Sequence, residues 1–101
     1  MLYLMLMQTD TTYYAKVGYS HRGTANRRRQ YKTHNPAAIM RSSCAGAEET
    51  KCREKLKDMG GTRVQGSEWF IVPHAVYQDL YDKGMAVFKP NQKPIHFIEQ
   101  F

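Results

Sequence analysis

Cysteine is scarce in this chain, and acid is outnumbered. Cys44 and Cys52 are the only thiols. Two cysteines make no disulfide framework, so both are expected reduced. Taken with the histidines, they show no recognisable metal-ligand spacing. The longest apolar run, MLYLMLM at the N-terminus, is seven residues. It lacks a basic lead and a small-residue cleavage site. It is too short for a signal peptide or a membrane span. Repeats, low-complexity tracts and linkers are also missing. The expectation is therefore one domain in the cytoplasm, away from the membrane, with a core of modest size.

What the chain has in excess is positive charge, in one place. Residues 21–57 hold ten Lys/Arg against three acids, a net of +7, while the rest of the chain sums to −1. Segregated charge of this kind suits an anionic partner, with nucleic acid ahead of an anionic membrane surface. The densest part is Lys16 to Pro36, KVGYSHRGTANRRRQYKTHNP.

Residues 2–8 read as a buried strand. Tyr13 to Tyr19 reads as a second, rich in aromatic and β-branched residues. The short polar gap between them implies an antiparallel hairpin. Thr24 is a candidate N-cap for a helix from Ala25 to about Thr33, which Asn35-Pro36 stops. Ala37 to Ser43 is a third strand. Ala45 to Met59 reads as a helix with Ala45, Glu49, Cys52 and Leu56 on one face, closed by Gly60-Gly61. Glu68-Trp69-Phe70 reads as an extended segment plugging the core. Pro73 is expected in the first turn of a helix running to Lys83, with Gly84 as its stop. Met85–Phe88 and Ile95–Ile98 are candidate edge strands. The expected fold is α/β, a small three-stranded antiparallel sheet flanked by helices in the order β-β-α-β-α. Residues 1–72 form its core, and residues 73–101 a helix and extended tail on the same domain.

In order, Tyr3, Lys16-Val17-Gly18-Tyr19-Ser20, Arg27, Asn35-Pro36, Glu49 with Cys52 and Leu56, and Glu68-Trp69-Phe70 make a set. It resembles the GIY-YIG nuclease domain, in the phage and bacterial subgroup with Lys-Ile/Val-Gly in place of Tyr-Ile-Gly. Arg53 stands where that subgroup commonly has histidine. The resemblance implies a hydrolase, a metal-dependent DNA endonuclease, with Tyr3, Lys16, Arg27 and Glu49 as catalytic residues. Glu49 would hold Mg²⁺ or Mn²⁺, and a bacteriophage source acting in the host cytoplasm would fit.

The residue types suit that chemistry. A carboxylate is a natural ligand for a hard divalent cation, and a guanidinium binds phosphate bidentately. Arg27 is the proposed clamp, with Arg28 as the alternative. Tyr3 as general base needs a cationic neighbour, because a free phenol titrates near about pH 10. Lys16 would supply that charge or act as the base itself. Tyr19, Arg28, Arg29, Tyr31 and Lys32 are candidate nucleic-acid contacts. With no separate DNA-reading domain evident, a second copy or a protein partner is a candidate source of specificity. The alternatives are a nucleic-acid-binding module that does not cut, or a regulator acting through protein contacts.

Overall fold

The computed structural model describes residues 2–19, 38–44, 48–88 and 96–97. Strands β1 (Leu2–Gln8) and β2 (Tyr13–Tyr19) form the expected antiparallel hairpin, in the register Tyr3↔Gly18, Met5↔Lys16 and Gln8↔Tyr13. The polar turn closes through the Thr9 amide, which donates to the Thr12 carbonyl at 2.9 Å. The Thr12 amide returns a bond to Thr9 Oγ1 at 3.1 Å. On the other side of β1 lies β3 (Ala38–Cys44), also antiparallel, with its register shifted between Leu4 and Met5.

Helix α1 (Glu49–Asp58) follows, then β4 (Thr62–Arg63), β5 (Phe70–Val72) and helix α2 (His74–Lys83). A 3₁₀ turn at Gly84–Val87 and β6 (His96–Phe97) complete the described elements. The sheet order is β4-β5-β2-β1-β3-β6. Four strands of three residues or more thus make its body, with a two-residue strand at either edge.

The three-stranded sheet expected from the sequence is too small. β5 pairs with β2 through Tyr13↔Val72 and Ala15↔Phe70, and β4 pairs with β5. What read as an aromatic plug, Glu68-Trp69-Phe70, is a turn leading into strand β5, which begins at Phe70. Phe70 does fill the core, while Trp69, just before the strand, is only half-buried. Of the two tail candidates, His96–Phe97 is a strand and Met85–Phe88 is not. The Gly84 stop continues straight into the 3₁₀ turn, which buries Met85. Pro73 is the N-cap of α2, in extended conformation, and not part of its first turn. Helix α1 begins at Glu49 with Glu48 as its non-helical N-cap, later than the expected start at Ala45. The helix expected at Ala25–Thr33 lies outside the described residues.

Strand alternation divides the hairpin between two faces. Leu2, Leu4, Leu6, Ala15, Val17, Phe70 and Val72 face one way. There they meet Cys52 and Leu56 of α1, Tyr77 and Leu80 of α2, and Met85. Tyr3, Met5 and Lys16 face the other way and are buried too. Burial on both faces explains why β1 reads as a continuous apolar run and not as an alternation. Tyr13 stacks on His74 and lies against Tyr77, with ring centroids 4.8 and 4.9 Å away, which docks α2 on the start of β2.

The end of α1 follows the sequence. Gly60 takes φ of 102°, open to glycine at little cost, and the Gly61 amide donates to the Leu56 carbonyl at 2.9 Å. Leu56 is fully buried in the cluster. Leu56→Ala is expected to cost about 2–5 kcal/mol, from lost transfer energy and the cavity left behind. Denaturant unfolding of both proteins measures this. A cost within experimental scatter of zero would mean that α1 does not anchor on the sheet through Leu56.

Candidate active site

The site starts from a glycine. Tyr3 and Gly18 are cross-strand partners on the same face, and the Tyr3 phenol lies across the glycine. A Cβ at residue 18 would fall inside the phenol group. Glycine here is thus a requirement of space, which explains the last residue of Lys16-Val17-Gly18. Tyr3 is 2% exposed.

Two residues back along β2, Lys16 shares that face and stands opposite Met5. The residue is only 7% exposed. An ammonium taken out of water needs a partner. It has one in Glu68, whose Oε2 lies 3.3 Å from Lys16 Nζ. Glu68 belongs to the turn that feeds β5, and that turn is firmly tied. The Val64 amide donates to the Trp69 carbonyl at 2.9 Å, and the Ser67 amide to the Val64 carbonyl at 3.1 Å. The Trp69 amide donates to Ser67 Oγ at 3.1 Å, and Arg63 Nε to the Ser67 carbonyl at 2.8 Å.

The second carboxylate oxygen of Glu68 faces α1. Arg53 Nη2 donates to Glu68 Oε1 at 2.9 Å and also to Glu49 Oε1. Glu49 and Arg53 are one helical turn apart, the spacing that brings side chains together on a helix. Glu49 sits in the first turn of α1, where the helix dipole favours a negative charge. The result is a chain of alternating sign, Lys16–Glu68–Arg53–Glu49, running from the sheet to the helix.

Of the sequence-derived residues, Tyr3 and Lys16 share one face of the sheet, and Glu49 joins Lys16 through two intermediaries. Tyr19 is on the opposite face, paired with Leu2 and packed half-buried against the core cluster. Alternation along β2 separates it from Tyr3 and Lys16. Arg27, Arg28, Arg29, Tyr31 and Lys32 lie outside the described residues.

Two residues enter that were not among the sequence-derived site residues, Arg53 and Glu68, although Glu68 closes the resembling set and its pairing to a helix cation fits a carboxylate facing a basic helix. The spacing of Glu49 and Arg53 is a readable signal. The Lys16–Glu68 contact, between strand β2 and a distant turn, has no sequence signature. Among the described residues no three His, Cys, Asp or Glu side chains gather as a metal-binding group. The cleft lined by Glu48, Lys51, Cys52, Lys55 and Phe88 contains none of the four residues of the charged chain. No protein-family model, curated protein or solved structure matches this chain.

Proposed function

We propose that this protein is a metal-dependent DNA endonuclease that hydrolyses phosphodiester bonds in the manner of GIY-YIG nucleases. The observation that carries the reading is the charged chain from Lys16 to Glu49, whose Lys16 end shares the sheet face where Tyr3 lies over Gly18. Residues from β2, α1 and the turn before β5 are thereby tied into one arrangement, and Tyr3 of β1 shares a sheet face with its Lys16 end.

Each residue has a task in the reaction. Water attacks phosphorus, its oxygen forming the new bond while the bond to the leaving oxygen breaks with its electron pair. A base must take the proton of the water. Glu68 partners Lys16 as an ammonium, so Tyr3 is the base in this reading, with Lys16 as its cationic neighbour. Arg27, or Arg28 next to it, clamps the phosphate. Arg28, Arg29, Tyr31 and Lys32 hold the nucleic-acid backbone nearby.

A hard cation fits beside Glu49. Its carboxylate already attracts one positive group, the Arg53 guanidinium, and carboxylate oxygens are the donor type that Mg²⁺ and Mn²⁺ prefer. Glu49 would hold the ion, which when bound supplies neutralisation of the charge developing on the phosphate and the leaving oxygen.

The second reading, a nucleic-acid-binding module that does not cut, draws on the same ion pair. Glu49 is neutralised by Arg53, which suits a structural carboxylate. Supercoiled, linear, single-stranded and branched DNA separate the two readings. The nuclease reading expects strand breaks on at least one substrate with Mg²⁺ or Mn²⁺ and none with chelator. Salt-dependent binding without any break would transfer the conclusion to the second reading.

A further inference from the structure

Arg53 occupies the position a cation serving Glu49 would take. Its Nη2 is shared between two carboxylates, Glu49 and Glu68. The hold on Glu49 is through one nitrogen and one oxygen, not the two-point fork that makes arginine pairs strong. Arg53 Nε is buried and makes no hydrogen bond, so the guanidinium is not fully satisfied where it is. If Glu49 were taken by another cation, Arg53 would keep Glu68.

Charge makes the same point. Lys16, Glu68, Arg53 and Glu49 together carry no net charge. A divalent ion approaching Glu49 therefore meets a carboxylate already neutralised, with a guanidinium beside it that repels the ion. Both side chains of the Glu49–Arg53 pair are less than a third exposed, so water screens the repulsion only in part.

We propose that Arg53 is an internal competitor for the metal site. The guanidinium occupies Glu49 until a divalent cation displaces it onto Glu68, so the metal-free protein guards its own carboxylate. This rests on the reading of Glu49 as the metal-binding residue. The competition holds metal affinity down in the absence of DNA. A phosphate arriving near the displaced guanidinium offers it a new partner, so substrate and metal bind better together than separately.

The test is Mn²⁺ binding to the full-length protein without DNA, followed by the electron paramagnetic resonance of free Mn²⁺. Arg53→Gln removes the competing charge and is expected to tighten Mn²⁺ binding about tenfold. Arg53→Lys keeps the charge and is expected to bind as weakly as wild type. This contrast separates charge from packing, and thermal unfolding verifies that each variant is folded. Glu49→Gln is expected to abolish binding in either background. If Arg53→Gln binds no tighter than wild type, or Arg53→Lys tightens equally, the competition is wrong, while loss in Glu49→Gln leaves the metal reading standing. If Glu49→Gln binds like wild type, Glu49 is not the ligand, and both fall.

Discussion

Glu49→Gln is expected to lower the rate of DNA cleavage by about 10²–10³-fold, the scale on which a single charge-stabilising group acts. The change keeps the size of the side chain and removes its charge. Folding should change little. The Glu49–Arg53 pair is an i, i+4 contact of one helical turn, a class worth about 0.3–0.5 kcal/mol when exposed and on the order of 1 kcal/mol for a half-buried pair such as this. Arg53 would retain its 2.9 Å bond to Glu68. The expected result is thus a large loss of cleavage, a thermal midpoint lowered only slightly, and DNA binding that keeps its salt dependence. An unfolded variant would show instead that Glu49 is there to hold α1 against the turn before β5. A folded variant cutting at the wild-type rate would remove Glu49 from the chemistry.

The second large effect concerns Gly18. A methyl group there falls within the Tyr3 phenol, and both residues are fixed by backbone pairing in the centre of the sheet. The phenol must leave its position or the strands must part. Gly18→Ala is expected to cost about 1–3 kcal/mol, as overpacking in a filled site does, and to depress cleavage by moving the proposed base. A double-mutant cycle isolates the contact. In a Tyr3→Ala background the space is vacant, so adding the methyl should cost much less, with a coupling of about 1 kcal/mol or more by denaturant unfolding. Equal costs in both backgrounds would mean that Tyr3 does not occupy the space over Gly18.

Much of this fold was legible because local rules set it. The β1–β2 hairpin follows from two apolar and aromatic runs around a polar turn. The ends of the helices follow from Gly60 and Gly84. Tyr3 and Lys16 share a face by strand alternation once the register is known. β4 and β5 were not legible as strands, since strands of two or three residues show no period and exist only through a partner distant in sequence, whereas β6 falls within the apolar patch Ile95–Ile98. Exposed Thr62 and Arg63 give no apolar signal.

The site divided in the same way. Glu49 stood out as an acid on an apolar helix face, beside Cys52 and Leu56, and the structure leaves it half-buried there. Arg53 was within reach of the helical spacing. Glu68 was not, because its role depends on folding the turn before β5 back onto Lys16. Tyr19 looked like its neighbours in the motif, yet alternation along β2 sends it to the core.

Nicking of supercoiled plasmid by the purified protein, with Mg²⁺ and with chelator, tests the central claim most directly. The nuclease account expects relaxed circles to accumulate with Mg²⁺, to vanish with chelator, and to be nearly absent with Glu49→Gln. Plasmid that stays supercoiled with wild-type protein, when the same protein binds it and either Mg²⁺ or Mn²⁺ is present, would contradict the account.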